Sequence, residues 1–466
     1  MRTLRTPTIG RIQLGGVAIC ALYLGLLLFA ALYKSSVFKD PKRAGWVAIS
    51  QIPVVYVLAT KNNVLSVAWG TAYDRLNYVH RFAGRLLVLA GNVHAIGYIY
   101  RFTMQNRWTR IIAQPPFAWG LVSLILLDIL FLFSLAWLRQ KFYNLFISTH
   151  FVASIAFLVT ICLHMPAAIP YVIVGAVFYG LDRALRILKT RIVTATVTTM
   201  PEMYTTQLAI PQINAGWRAG QFVRIRVLSG GTGLRGWLVS HPFTIACGGV
   251  GEGGAPYGLT LLIKNSGRWT KRLYDISTAK QRGLDAGNHV RVLIEGPYGG
   301  SGYTLPHSFF GALYVVGGSG ISYAGTSTLR VIDLVWSVRH PDCLTPLLPT
   351  FSSLLAQAAA ANVKLEISVF YTRAVTLDHE FKDYVLPMDL RLEPGHRRLQ
   401  NMVRDVVDRT LRTIQNGEDR RGVFIGTCGP AALSDPIRDV IGDLDSEGLS
   451  SMVGGVELHE EIFALD

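Results

Sequence analysis

Acidic residues are scarce in this chain, and paired cysteines are missing from it. Of 466 residues, 30 are Asp or Glu against 45 Lys or Arg, and charged residues make up only 16%. The five cysteines, Cys20, Cys162, Cys247, Cys343 and Cys428, form no CxxC and no paired framework. That pattern excludes a disulfide scaffold and points to reduced thiols, with the three in the second half on the cytosolic side. A net charge of +15 raises nucleic acid as a partner. The basic residues are scattered, however, at the ends of apolar runs and through the second half, with no long basic run. Phosphate-bearing cofactors and a membrane surface explain the charge better, and no nucleic acid is expected. Neither an internal repeat nor a low-complexity tract is visible.

What the chain has in excess is apolar sequence. Half of it is hydrophobic and the mean hydropathy is +0.34, yet nearly all the long apolar runs fall before residue 188 or so. Six spans are expected, near 14–33, 45–60, 78–99, 117–138, 142–164 and 168–188. The first follows MRTLRTPTIGR and exceeds the apolar core of a cleavable signal, so it reads as an uncleaved span. The second is short and should extend at its ends. Arg2, Arg5, Arg11, Lys61, Arg75, Arg139, Lys141, Arg186, Lys189 and Arg191 would lie inside, while Lys34, Lys39, Lys42 and Arg43 would lie outside, against the positive-inside rule. An even number of spans returns the second half to the side of the N-terminus.

Four histidines stand in these runs: His80 and His94, then His150 and His164, each pair fourteen residues apart. Fourteen helical steps return a side chain to within about 40° of the same face, about 21 Å along the axis. Spans three and five run parallel, so His80 faces His150 near the inner surface and His94 faces His164 near the outer one. That arrangement suits two stacked haems, each held by one imidazole from either helix, and an ionisable side chain inside a span suggests function by default. The plainer alternative is four polar residues, each hydrogen-bonded within the bundle.

The remaining 280 or so residues read as soluble α/β protein. Short strand-like segments at 191–199, 204–210, 221–228 and 259–265, separated by Gly-rich loops and followed by one helix near 268–280, suggest a small antiparallel barrel. From Ala312 the pattern becomes strand, Gly-rich turn and helix in repetition (LYVVGGSGIS, LVWSVRH, LEISVFYTR, VFIGTCGP). It indicates a parallel sheet with ligands at the C-terminal strand ends. The expected domains are 1–188, a six-helix transmembrane bis-haem bundle; 189–305, an antiparallel β-barrel; and 306–466, a parallel α/β nucleotide-binding domain.

In these motifs the chain resembles the ferric reductase and NADPH oxidase family of transmembrane flavocytochromes b, especially the fungal metalloreductases, over nearly its whole length. QIPVVYVLATKNN, LNYVHRFAGR and the four histidines follow the metalloreductase pattern. GWRAGQF, HPFTIA (241–246), EGPYGG (295–300), GGSGI (317–321), TCGP (427–430) and ELHEEIF (457–463) then appear in family order. The resemblance implies FAD bound by His241, Pro242, Phe243 and Thr244, with its pyrophosphate at Lys264, Gly267 and Thr270, where a strand passes into a helix N-terminus. A flat Phe243, a rigid Pro242 and the Thr244 hydroxyl also suit a flavin ring physically; the alternative is an ordinary strand opening. Gly317, Gly318 and Gly320 let the backbone approach a second dinucleotide. Cys428 and Gly429 match the family position beside the nicotinamide, although a buried Cys is equally a small hydrophobe. Arg339 and Arg373 follow strands where a guanidinium clasps a 2′-phosphate, favouring NADPH; surface arginines at strand ends are also simply solvated. Relatives often end on an aromatic that covers the flavin. Here Phe463 is followed by three more residues, so the cover is displaced or falls to Phe463, which with Cys428 would frame the hydride-transfer site.

The implied function is a multi-pass metalloreductase, expected in the plasma membrane. It would pass electrons from cytosolic NADPH through FAD and two b-type haems to Fe³⁺ chelates or Cu²⁺ outside, with a metal permease left open as a partner. Two alternatives stand. One is a superoxide-generating NADPH oxidase, opposed by the short MPAAIP segment after His164 and by the spacing of the second histidine pair. The other is a non-catalytic haem-binding membrane subunit, opposed by the intact HPFT, GGSGI and TCGP.

Overall fold

The computed structural model describes the chain apart from residues 1–7, 10–11, 36–39, 70–72, 219, 230–236, 238, 248–257, 282–287, 301–303, 305, 318–328, 373–385, 396–397, 415–420, 430 and 463–466. It divides into two compact units, Met1–Arg186 and Ile187–Asp466.

The first unit is helical. Its long helices are α1 (Leu14–Leu32), α2 (Pro41–Leu58), α3 (Asn77–Met104), α4 (Pro115–Phe133), α5 (Tyr143–His164) and α6 (Ile169–Leu188). Five of them lie in segments long and apolar enough to cross a bilayer. The remaining one, α2, starts with Lys42 and Arg43 close behind its first residue and carries Pro53 inside. It earns its place by burial, with Ala44, Val47, Ala48, Ile49 and Ile52 all covered. It begins at Pro41, four residues earlier than the apolar run, because a proline missing its N–H is well suited to the first helical turn. Segment Pro341–Ala360 also meets the length and apolarity of a span. Its Leu344, Leu347 and Phe351 are buried in the core of the second unit, so there the apolar surface faces a sheet.

Helices α2, α3, α4 and α5 share a core of Ala48, Ile52, Leu87, Leu127 and Phe157. Polar cross-links join them where lipid would leave such groups unsatisfied. Tyr56 donates to the Ser154 carbonyl at 2.7 Å, Asn92 to Asp128 at 2.8 Å, and Ser123 to Thr160 at 2.9 Å. Asp182 on α6, buried, accepts from Lys61 N, Asn62 N and Asn62 Nδ2 at 3.1, 2.8 and 3.0 Å. That fastens the turn after α2 to α6.

The second unit opens with six antiparallel strands, β1 (Thr190–Met200), β2 (Thr205–Ile210), β3 (Gln221–Val227), β4 (His241–Cys247), β5 (Leu259–Lys264) and β6 (His289–Gly299). They close into a barrel in the order β1-β2-β5-β4-β3-β6. Alternation drives the closure: Ala195, Val197, Leu208, Ile210, Val223, Ile225, Leu261, Ile263, Val292 and Ile294 point into one core, and closure removes exposed edges. Helix α7 (Arg268–Gln281) follows β5 and buries Leu273 against that core.

A parallel sheet follows: β7 (Gly311–Gly317), β8 (Val331–Val338), β9 (Lys364–Tyr371), β10 (Leu390–Pro394), β11 (Val423–Gly429) and β12 (Val456–Ile462), in the order β10-β9-β8-β7-β11-β12. Near-continuous apolar strands fit a sheet covered on both faces. Helix α8 (Leu348–Ala360) covers one face, while α9 (Leu399–Ile414) and α10 (Ala431–Ser446) cover the other. The strand order reverses between β7 and β11, and a crevice at such a switch point, at the C-terminal strand ends, is where ligands bind in open α/β sheets.

Candidate functional site

In the first unit, α3 carries His80 and His94, and α5 carries His150 and His164. The structure brings them together in two facing pairs, with ring centroids 6.4 Å apart for His80–His150 and 6.3 Å for His94–His164. Ring planes cross at 68° and 71°. An iron between two imidazoles needs about 2 Å to each nitrogen and about 1.1 Å more to each ring centre, or about 6.2 Å in all. The gap therefore fits one metal ion per pair.

The far side of each ring is held. His80 Nδ1 lies 3.0 Å from the Val55 carbonyl, His94 Nδ1 2.8 Å from that of Pro41, and His164 Nδ1 2.7 Å from that of Pro116. A carbonyl only accepts, so Nδ1 must carry the proton and Nε2 keeps its lone pair for a metal. His150 Nδ1 meets the Ser134 hydroxyl at 3.2 Å instead. Ordering the outer nitrogen in this way is how protein frames fix ligating histidines. Two glycines complete the fit. A Cβ on Gly45 would lie 2.6 Å from His94 Nδ1, and one on Gly120 2.6 Å from His164 Nδ1. The donor set and the gap suit a haem iron in each pair.

On the barrel, β4 holds the HPFT segment. His241 stacks on Trp269 at 4.3 Å and Phe243 on the same indole at 5.8 Å. Pro242 is exposed, and Thr244 pairs with Phe222 across β3. Arg224 donates to the Ser240 hydroxyl at 3.0 Å and to its carbonyl at 2.6 Å, anchoring the start of β4. Burial, and then the Arg224 guanidinium, lowers the His241 pKa to about 4, so the ring is neutral near pH 7. The buried Trp269 Nε1 has no partner among the described residues. A donor left waiting beside HPFT fits an acceptor-rich ligand such as a flavin nucleotide.

The turn into α7 is closed by the helix's own third residue. Thr270 Oγ accepts from Ser266 N and Gly267 N at 3.0 and 2.8 Å and donates to the Gly267 carbonyl at 3.0 Å. Thr270 thus caps its own helix, and the N–H groups left for a phosphate are those of the first turn, from Arg268 on. Lys264, half-buried at the end of β5, has its pKa lowered by burial and then by Arg339. The cation expected at FAD therefore lies within electrostatic range of the one expected at the 2′-phosphate.

At the switch point of the sheet, Gly429 ends β11 and Gly317 ends β7. A Cβ on Gly429 would sit 3.7 Å from Gly317 N and 3.0 Å from Leu433. A side chain at Gly429 would therefore crowd Leu433. Cys428 is buried beside Gly429, its Sγ 3.8 Å from Glu461 Oε2 on β12. Burial, and then the Glu461 carboxylate, pushes its thiol pKa well up, so the thiol stays protonated near neutral pH. Arg339 is exposed just past β8. Gly318, Gly320, Arg373 and Phe463 lie outside the described residues.

Sequence reasoning missed Gly45, Gly120, Ser134, Trp269 and Glu461. Trp269 had a usable signal, an aromatic one residue into a helix next to a suspected nucleotide turn. Glu461 sits inside the ELHEEIF motif and becomes meaningful only through its register with Cys428.

Residues 44–161 match the family model of the ferric reductase like transmembrane component, and residues 188–302 match that of an FAD-binding domain. Ferric reductase transmembrane component 5 of Saccharomyces cerevisiae is 27% identical over 321 residues, covering 65% of this chain and 44% of that one. Component 6 of the same yeast is 23% identical over 432 residues, covering 86% and 57%. The probable cell surface ferric reductase kap2 of Aspergillus oryzae is 26% identical over 390 residues, covering 72% and 50%. The chain spans about half the length of these curated relatives. Among solved structures, the ferredoxin reductase in carbazole 1,9a-dioxygenase is 18% identical with a TM-score of 0.36, covering 59% of this chain and 70% of that one. The chain is a multi-pass membrane protein similar to fungal ferric and cupric reductase components.

Proposed function

We propose that the chain is a transmembrane ferric or cupric reductase. Electrons from NADPH would cross the bilayer along the histidine quartet to Fe³⁺ chelates or Cu²⁺ on the far side, in support of metal uptake at the plasma membrane. The single observation that carries this reading is the pair of facing imidazole pairs, 6.4 and 6.3 Å apart, on two membrane helices. When bound, FAD would supply conversion of a two-electron hydride into single electrons, and two haems would supply one-electron carriage between the two faces.

The chain's own residues do the rest. His80 with His150, and His94 with His164, would hold an iron each through Nε2, leaving no position open for a small ligand. Leu87, Leu127, Phe157, Ile52 and Ala48 keep the space between the helices dry. His241, Pro242, Phe243, Thr244, Lys264, Trp269 and the first turn of α7, which Gly267 and Thr270 shape, would seat the flavin nucleotide on residues 189–305. Gly317, Gly318, Gly320, Arg339, Arg373, Cys428 and Gly429 would seat NADPH on residues 306–466. Buried and neutral, Cys428 orients a nicotinamide by contact and adds no nucleophile.

The far end of α3 supports an anionic acceptor. Rings run His94–Tyr98–Phe102–Phe117 at 5.0, 5.3 and 5.7 Å towards the loop that joins α3 to α4. That loop turns at Asn106 and tucks Ile111 back into the bundle. Its Arg107 and Arg110, with Arg101 at the end of α3, are exposed and lack a side-chain partner among the described residues. Arg43, by contrast, is spent on the Ala30 and Tyr33 carbonyls. No acidic residue falls between Arg101 and Ala118. A field of one sign concentrates ligands of the other.

The test is NADPH oxidation by purified protein in vesicles with ferric citrate, Cu²⁺ or O₂ as acceptor. Faster oxidation with either metal than with O₂ is expected. Oxidation supported by O₂ alone would replace the reading with a superoxide-forming oxidase. No oxidation with any acceptor, despite bound haem, would replace it with a non-catalytic haem subunit.

A further inference from the structure

The outer histidines are seated by one device used twice. Helix α2 opens at Pro41 and α4 at Pro115–Pro116. The carbonyl of Pro41 receives His94 Nδ1 at 2.8 Å, and the carbonyl of Pro116 receives His164 Nδ1 at 2.7 Å. One helical turn further on, four residues after each proline, stands a glycine: Gly45 in one helix and Gly120 in the other. A Cβ on Gly45 would meet His94 Nδ1 at 2.6 Å and Cε1 at 2.7 Å, and one on Gly120 would meet the same atoms of His164 at the same distances. Each imidazole thus occupies the space of a missing side chain, with its outer nitrogen on the carbonyl one turn earlier.

Other glycines of this unit differ. Gly25 on α1 and Gly180 on α6 have nothing within 4 Å of a Cβ. Nor is the inner pair seated this way. His80 uses Val55, which is followed four residues later by Ala59, and His150 uses the Ser134 hydroxyl. Glycine weakens a helix interior relative to alanine, so two glycines at matching places under two matching rings call for a reason. The carbonyl sets the ring's rotation and tautomer, and the glycine sets its depth. Together they bring two rings from different helix pairs to 6.3 Å.

We propose that Pro41 to Gly45 and Pro116 to Gly120 form a duplicated seat for the outer histidine pair, which makes Gly45 and Gly120 positioning residues for the outer iron. The proposal rests on the haem reading of the quartet. A methyl on either glycine forces its ring to move, because the atom it meets is the ring's own nitrogen on the side held by the carbonyl. Either the Nδ1–H bond breaks or the ring slides along the helix, and both spoil the match between the two imidazoles and one iron. The inner pair, some 14 residues away on each helix, is untouched.

The experiment compares full-length wild type, Gly45→Ala, Gly120→Ala, the controls Gly25→Ala and Gly180→Ala, and His94→Ala as the reference for a protein with only its inner haem. Haem per chain is measured by pyridine haemochrome, and the two low-spin haems are followed by electron paramagnetic resonance and low-temperature absorption. Wild type and controls should carry two haems. Each seat variant should fall towards one, or keep a second with a displaced low-spin signal, while the remaining spectrum matches His94→Ala. Two haems with wild-type spectra in both seat variants would overturn the proposal. So would equal loss of both haems in seat variants and controls alike, which assigns the glycines to folding in general. A wild-type chain that takes up no haem at all would sink the quartet reading, and the seat with it.

Discussion

His150 Nδ1 lies 3.2 Å from the Ser134 hydroxyl, and His150 is the one member of the quartet whose outer nitrogen is not on a backbone carbonyl. To ligate through Nε2 it must donate to that oxygen. Ser134→Ala removes the acceptor, makes the imidazole a poorer electron donor and favours the reduced iron. The inner haem's midpoint potential should rise by about 20–60 mV, the equivalent of one modest hydrogen bond, with the outer haem unmoved. Potentiometry with separate fits for the two haems reads this directly; an equal shift in both would show that Ser134 acts on the bundle as a whole.

Removing a ligand outright has a coarser effect. His80→Ala should lower the haem count from two per chain to one and stop NADPH-driven reduction of any acceptor across the membrane. Retention of both haems by pyridine haemochrome would defeat the assignment of His80.

Much of this architecture is legible in the sequence because its causes are local. Apolar runs mark the spans, strand alternation marks the barrel, and the fourteen-residue spacing marks two histidines on one helix face. What escaped depends on contacts between distant segments. PKRAG at 41–45 and PFAWG at 116–120 share only a proline and a glycine, too little to register as a repeat. Their equivalence appears only once His94 and His164 lie over them. Thr270 was ambiguous for the opposite reason. A hydroxyl at a helix start suits a phosphate and a cap equally well, and only the bonds to Ser266 and Gly267 separate the two.

The barrel should carry an acid-sensitive element. The folded His241 pKa is lowered from 6.5 to about 4, so the unfolded chain takes up its proton first as pH falls. The stability tied to the neutral ring is therefore complete above pH 6.5 and is lost on the way down to about 4. The loss should be about 1–2 kcal/mol once solvent screening of a partly exposed ring is allowed for. Thermal melts of the full chain without added flavin should show this slope, and His241→Gln should flatten it. Equal slopes in both proteins would remove His241 from the account.

The arginines at the end of α3 bear on the acceptor. Arg107→Gln with Arg110→Gln should slow reduction of ferric citrate several-fold and spare that of Cu²⁺. Added salt should shrink the difference, since such fields are screened over about 8–10 Å at physiological ionic strength. Equal slowing of both acceptors, or a wild-type rate indifferent to salt, would make the loop a headgroup anchor.

The central claim is that electrons cross the bilayer through this chain. Its most direct measurement uses sealed vesicles in which the soluble half faces outward, NADPH is added outside and ferric citrate is trapped inside with a ferrous indicator. The account predicts ferrous iron in the lumen at a rate that follows NADPH oxidation and disappears in His80→Ala and in His94→Ala. NADPH oxidation with no ferrous iron in the lumen, or the same internal signal in both histidine variants, would contradict it.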